Sequence, residues 1–266
     1  VIVLDPINQQ KIKQALHDGI KIYSGGNCTV SLMLTALGGL LEQGLVEWVN
    51  SSTYQAASGA GAFHMKELLL QNKWLSSNIS ESLISGNADA LVADEQVSTV
   101  LRGANVPQHQ FGAPLIGNVL PWIDSLMENG QTREEWKAQA EANKILGLKP
   151  DTLKIDGVCV RVGSMRCHSQ ALTVKLTDKN LTIEAIVQLI TKHNAWVKVV
   201  PNNKADTLKY LTPVAVSGSL DIAVGRLRKL SLGEEYLSLF TVGDQLLWGA
   251  AEPLRRMLNI VVEHHR

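Results

Sequence analysis

The chain has 266 residues, and 45% of them are hydrophobic, which is enough for a sizeable core and argues against disorder. Its 25 Lys and Arg balance its 25 Asp and Glu, so no global field favours nucleic acid or an acidic membrane, and 5% aromatic residues give no stacking platform for single strands. No run approaches the ~20 apolar residues of a membrane span, no secretory signal is legible, and three cysteines are too few for a disulfide framework, so a reducing cytoplasm is the expected setting.

The chain opens on "VIVLDPIN", without methionine. Residues 1–4 read as a buried β-branched strand, which seldom opens a domain alone, so the expectation is the back part of a longer protein. A turn at Asp5-Pro6 leads into a helix through about Asp18. Gly19 stops it, and "IKIYS" reads as a second short strand. That is a βαβ-like tail of the kind that finishes a parallel sheet. After the break Gly25-Gly26-Asn27, residues 29–41 are apolar nearly all round, as in a buried helix, and Gly38-Gly39 allow a neighbour close. "VEWVNSSTYQAAS" alternates as a strand, and "SGAGAFHMKELLLQ" passes from a glycine-rich turn into a helix. Residues 76–112 are polar and poorly periodic apart from a short helix around 88–101, and read as an excursion or a subunit contact. "TREEWKAQAEANKIL" is an amphipathic helix, with Thr132 as N-cap and Glu135 completing a capping box. "LKIDGVCVRVGSMRCHSQALTVKL" gives two alternating runs around Gly163, and "TIEAIVQLITKHN" a helix capped by Thr182. "PVAVSGSLDIAVGRLRKL" and "YLSLFTVGDQLLWG" supply further strands, and "AAEPLRRMLNIVVEHH" closes the chain as a helix. The expected fold is α+β: a mostly antiparallel mixed sheet with flanking helices, plus remnants of a parallel α/β domain at both ends.

Cys28 stands on the first turn of a helix. Unpaired N–H groups and about half a unit of positive charge there lower a thiol's pKa, and the same groups stabilise an oxyanion. A small core hydrophobe is the other reading. In "GVCVRV", Cys159 and Arg161 share one strand face, and Val158, Val160 and Val162 the other. Arg161 suits a bidentate grip on a carboxylate, or a surface ion pair. His168 offers acid–base catalysis near neutral pH, or a satisfied structural role. His64, His193, His264 and His265 read as structural. Glu134, Lys137, Glu141 and Lys144 recur at three and four residues, as a solvated stripe or as charges aimed into a polar site. Ser58-Gly59-Ala60-Gly61 opens a helix whose N–H groups can cradle phosphate or a nicotinamide amide. No G-x-G-x-x-G follows a strand and no C-x₂-C occurs, so neither a full dinucleotide fingerprint nor a metal site is expected.

Together, "GGNCTVSLML", "TYQAASGAG", "REEWKAQAEANKIL", "CVRVGSMRCHSQA" and "FTVGDQLLWGAAEPLRRML" resemble bacterial aspartate-semialdehyde dehydrogenase of the Gram-negative type, in order along nearly the whole chain. The resemblance lacks the family's amino-terminal nucleotide-binding portion. It implies the end of an NADP-binding Rossmann domain at 1–26, a catalytic and dimerisation domain at 27–243, and a helix returning to the nucleotide domain at 244–266. It implies Cys28 as nucleophile, His168 as acid–base group and Gln55 as the residue orienting the acyl intermediate. Arg161 and Glu134 would grip the substrate's carboxylate and amine, and Lys137 the phosphate. Ser58, Gly59 and Gln245 would lie near the nicotinamide. The implied reaction is reversible, NADP-dependent conversion of L-aspartyl 4-phosphate to L-aspartate 4-semialdehyde, in lysine, threonine, methionine and isoleucine biosynthesis, by a homodimer. Without the nucleotide-binding portion the chain is expected to turn over little, with the apolar faces of residues 1–4 and of the last helix exposed. Two alternatives stay open: an acyl-phosphate reductase for N-acetylglutamyl phosphate, and a non-catalytic dimerising scaffold.

Overall fold

The computed structural model describes residues 1–84 and 89–266. Strand β1 (Ile2–Val3), helix α1 (Asp5–His17) and strand β2 (Ser24–Gly25) make a small parallel pair with its crossover. Helix α2 (Cys28–Glu42) follows, with residues 29–40 all buried, because its apolar side chains face neighbours on every side. The chain continues through β3 (Val46–Gln55), a 3₁₀ turn at Ala57–Ala60, α3 (Ala62–Asn78), α4 (Glu81–Ile84), α5 (Ala90–Arg102) and β4 (Val119–Leu120). Then come α6 (Arg133–Leu146), β5 (Lys154–Asp156), β6 (Cys159–Val162), β7 (His168–Leu176), α7 (Ile183–His193), β8 (Val197–Val199), α8 (Lys204–Tyr210) and α9 (Pro213–Val216). Strands β9 (Ile222–Leu230) and β10 (Gly233–Gly243), a π turn at Leu247–Ala251 and helix α10 (Glu252–His264) end the chain.

Eight strands form one mixed sheet in the order β4-β6-β3-β7-β10-β9-β8, with β5 also on β3. Pairs β3–β7, β7–β10, β10–β9 and β4–β6 are antiparallel, and β3–β5, β3–β6 and β8–β9 are parallel. This is the mixed sheet with flanking helices that the sequence led us to expect. Helix α2 lies on one sheet face between α6 and α7. Leu32, Met33, Leu37 and Leu40 pack there on Val49, Leu172, Val174 and Leu239 of the strands and Ile186 and Ile190 of α7. Each such fully buried side chain contributes about 1.5–3 kcal/mol of burial. Gly39 permits the tight crossing, since a methyl group there would lie 2.2 Å from the carbonyl oxygen of Leu189. The other sheet face carries Trp48 against Tyr236 and Tyr54 against Phe240, ring centroids 6.0 and 6.2 Å apart, all partly open to solvent.

Several expectations are corrected. "IKIYS" is strand only at Ser24; Ile20 and Ile22 pair with no strand among the described residues and are exposed. "PVAV" is one helical turn, started by Pro213 and capped by Thr212, rather than strand. Strand β3 stops at Gln55, where the chain enters the 3₁₀ turn. The helix expected around 88–101 runs Ala90–Arg102, and Ala88 lies outside the described residues. Residues 1–4 are not left bare: Val3 and Leu4 are fully covered, and Val3 joins Ile12, Met257 and Ile260 in a cluster between α1 and α10. Arg256 of α10 grips both carboxylate oxygens of Asp5 and lies 4.4 Å from the ring centre of Trp196. The outer stripe of α10, Leu254, Leu258 and Val262, is exposed.

Candidate active site

Four strand ends meet at one edge of the sheet. Gln55 is in register with Arg161, and His168, the first residue of β7, is in register with Gly243 at the end of β10. Helix α2 begins at this edge, positioned by Asn27, whose Oδ1 accepts the N–H groups of Thr29 (3.0 Å) and Val30 (3.1 Å). Gln170 of β7 ties the same helix start down by donating to the Thr29 carbonyl at 2.9 Å. Helix α6 arrives through the capping box read from the sequence, Thr132 with Glu135. It thereby aims Glu134, which is 7% exposed, into the cluster.

Glu134 is the hub. Its Oε1 accepts from Asn27 Nδ2 at 2.9 Å and Gln55 Nε2 at 3.2 Å, and its Oε2 from Lys137 Nζ at 3.2 Å. Lys137 also pairs with Asp124 at 3.1 Å. Both Lys137 and Asp124 are held toward their charged forms, and Asp124 stands in the left-handed region at φ 75°. The stripe expected on α6 therefore divides. Glu134 and Lys137 belong to the cluster, Glu141 supports it by accepting the Asn27 N–H at 2.6 Å, and Lys144 is exposed.

Arg161 is buried and donates one arm to the Ala56 carbonyl at 2.8 Å. The residue lines a cavity of about 520 Å³ together with Ala60, His64, Trp122 and Asp124. It acts on both Cys28 and His168, lowering the pKa of each. The two residues thus share a neighbour, although the sequence separates them by a long interval.

The Cys28 thiol departs from expectation. Burial pushes it up to about 12, and the Glu134 carboxylate pushes in the same direction; the Thr29 N–H and Arg161 pull it down but do not win. The helix start is less available than supposed, because Asn27 already occupies the Thr29 and Val30 N–H groups. Cys28 rests as a thiol. Its near neighbour from the other end of the chain is Gly249 of the π turn, where a methyl group would lie 2.4 Å from the Cys28 Cβ.

His168 is fully buried, and its Nδ1 accepts the Ala56 N–H at 3.0 Å. The neutral ring therefore carries its proton on Nε2, which has no partner among the described residues. Burial, then Arg161, hold its pKa down at about 3 instead of 6.5. The expectation of a group titrating near neutrality is corrected: at physiological pH this ring is a neutral donor. A stability consequence follows. The unfolded chain takes up this proton near pH 6.5, and the folded chain not until about 3, so folding stability falls as pH drops through that window. The loss reaches about 3 kcal/mol by pH 4.5, at 1.36 kcal/mol per pH unit. His168→Gln is expected to show a flatter fall in urea-unfolding stability between pH 6.5 and 4.5 than the parent; parallel acid limbs would contradict this.

Ser58, Gly59 and Gln245 also come to this edge, though not as expected. Ser58 Oγ accepts from Gln245 Nε2, and Gln245 Oε1 accepts the Cys167 N–H at 2.9 Å. Gly59 lies against His168, where a methyl group would be 2.7 Å from ring atoms. The Ser58 and Gln245 side chains are thus buried and engaged on one another.

Sequence reasoning missed Asn27, Asp124 and Gly249. Only Asn27 carried a signal, being an N-cap residue type directly before Cys28. Cys159 is buried, and its N–H donates to Glu135 Oε1 at 3.0 Å, a structural role.

The family model described as semialdehyde dehydrogenase, dimerisation domain, matches residues 37–248. Aspartate semialdehyde dehydrogenase from Francisella tularensis is 54% identical, with a TM-score of 0.93 over 98% of this chain and 70% of that one. The chain belongs to the aspartate semialdehyde dehydrogenase family. That makes it part of an oxidoreductase family. More distant structures share the fold: aspartate semialdehyde dehydrogenase II from Vibrio cholerae complexed with ASA, at 23% identity and TM-score 0.77 over 98% of this chain and 68% of that one. The enzyme from Candida albicans with NADP has 17% identity and TM-score 0.61 over 99% of this chain and 67% of that one.

Proposed function

We propose that this chain provides the acyl-transfer centre of an NADP-dependent, phosphorylating aspartate-semialdehyde dehydrogenase, acting in the cytoplasm. The observation that carries the reading is Arg161, a buried residue that lines an open cavity and whose charge acts on both Cys28 and His168. In the acylating step the Cys28 sulfur attacks the acyl carbon of L-aspartyl 4-phosphate. A C–S bond forms, the C–O bond to phosphate breaks, and the thiol proton leaves with the phosphate. The free Nε2–H of His168 supports a donor to the carbonyl oxygen as charge builds there. Arg161, which lines the cavity, suits the substrate's α-carboxylate. Glu134 suits its ammonium, Gln55 holds Glu134, and Lys137 is a point charge suited to tetrahedral phosphate. NADP would be held by a nucleotide-binding portion outside these residues, and no step is assigned to it.

A second copy of the chain is the proposed partner. The uncovered sheet face with Trp48, Tyr54, Tyr236 and Phe240 supports this, since open aromatic sheet faces favour burial against another surface.

The test is an assay of the chain preceded by a nucleotide-binding portion, with NADP and phosphate. Aspartate semialdehyde is expected to be oxidised at least about 100-fold better than N-acetylglutamate semialdehyde. The reverse preference would favour the related reductase, and no turnover with either the scaffold. The same preparation is expected to sediment as a dimer; a monomer at micromolar concentration removes that part of the proposal.

A further inference from the structure

We propose that Gln245 is a positioning residue for His168: it pins the strained backbone of Cys167 to the Ala57–Ala60 turn and so fixes where the imidazole points. The inference rests on the reading of His168 as a working group of the site.

Cys167 holds φ at 74°, a left-handed conformation that non-glycine residues rarely adopt and that persists only where neighbours enforce it. The enforcing contacts are visible. Gln245 Oε1 takes the Cys167 N–H at 2.9 Å, and its Nε2 reaches Ser58 Oγ. Beside it, Asp244 is wholly buried and pairs with Arg166 at 2.7 Å. Two consecutive residues after β10 thus hold the two consecutive residues before His168. The opposite side of the loop is stitched to the same turn: Ala57 N–H donates to the Ser164 carbonyl at 2.8 Å, and Ser58 N–H to the Met165 carbonyl at 3.1 Å.

The turn so fixed is the one that sets the ring. Ala56 supplies the N–H that makes Nδ1 an acceptor, and Gly59 leaves just the space the imidazole fills. If loop and turn separate, the Ala56–Nδ1 bond lengthens. The proton is then no longer confined to Nε2, and the ring is free to rotate. A misplacement near 1 Å can cost about 100-fold in rate. Gln245 therefore acts through Cys167 and Ser58 and touches no reacting atom.

The first measurement uses the 266-residue chain labelled with ¹⁵N-histidine, the His168 nitrogens being assigned by their loss in His168→Gln. The parent should show one protonated and one unprotonated nitrogen, unchanged from pH 5 to pH 9. Gln245→Met, similar in size but unable to form either bond, should show averaged nitrogens that move with pH. Gln245→Glu should restore the parent pattern, because a carboxylate accepts from Cys167 and from a Ser58 hydroxyl turned to donate. Should Gln245→Met fail to fold, Ser58→Ala, which cuts one end of the bridge, takes its place in the same measurement. In the chain preceded by a nucleotide-binding portion, Gln245→Met should lower kcat about 100-fold and leave KM for NADP unchanged. The proposal is overturned if the nitrogens keep the parent pattern in the variant, or if they change while kcat does not. A rise in KM for NADP with kcat held would instead make Gln245 a nicotinamide contact. If the parent itself fails to oxidise aspartate semialdehyde, the functional reading falls, while the nitrogen spectra still decide whether Gln245 fixes the ring.

Discussion

Cys28→Ala, in the chain preceded by a nucleotide-binding portion, is expected to lose about 10⁴-fold or more in kcat, since in the proposed mechanism its sulfur forms the bond to the acyl carbon. The fold should survive. Alanine is a better helix former than cysteine at the start of α2, Asn27 still caps it, and the Cβ that meets Gly249 is retained. Turnover within tenfold of the parent, in a variant with an unchanged unfolding midpoint, would remove Cys28 from the mechanism. The resting thiol refines this result. With its pKa at about 12, Cys28 should react slowly with iodoacetamide at pH 7 and keep accelerating with pH instead of levelling off near 8. Slow labelling is thus compatible with a nucleophile whose ionisation waits for substrate.

Arg161→Lys is expected to raise KM for aspartate semialdehyde about 100-fold, while an aldehyde of similar length without the α-carboxylate is affected much less. Arg161 does two things at once: one arm of its guanidinium fixes the Ala56 carbonyl, and the residue lines the cavity. A lysine has a single ammonium for both tasks. A charged hydrogen bond lost from a buried site costs about 1.5–3 kcal/mol, which is roughly tenfold to 150-fold in binding. Equal losses for both aldehydes would mean that Arg161 is purely structural, holding the Ala56–Gly59 turn. Loss of its charge in Arg161→Leu would also let the His168 and Cys28 pKa values rise, since Arg161 lowers both.

Much of the scaffold was legible because local chemistry decides it. Thr132 and Glu135 announce the start of α6, the all-round apolar run after Cys28 announces a buried helix, and alternation around Gly163 announces β6 and β7. Local signals failed where distant partners decide. "IKIYS" has strand composition but pairs, among the described residues, only at Ser24, and "PVAV" is turned into helix by Pro213 and Thr212. Candidate site residues could be singled out by type and by resemblance, yet their states could not. The helix start that should ionise Cys28 is occupied by Asn27, and Glu134, 106 residues further on, opposes the negative charge. His168 looked free to exchange protons near neutrality, but the Ala56 N–H and full burial make it a fixed donor. Asp124 meets Lys137 through a loop conformation that no spacing rule describes.

The packing of Gly249 on Cys28 also makes helix α10 mechanically answerable to the proposed nucleophile. The same π turn continues into α10, whose Arg256 is anchored on Asp5, so the backbone of Cys28 is linked through α10 to the start of α1. Clipping or tagging the tail close to this turn would perturb reactivity long before it unravelled the sheet, and position 249 leaves no space for even one additional carbon.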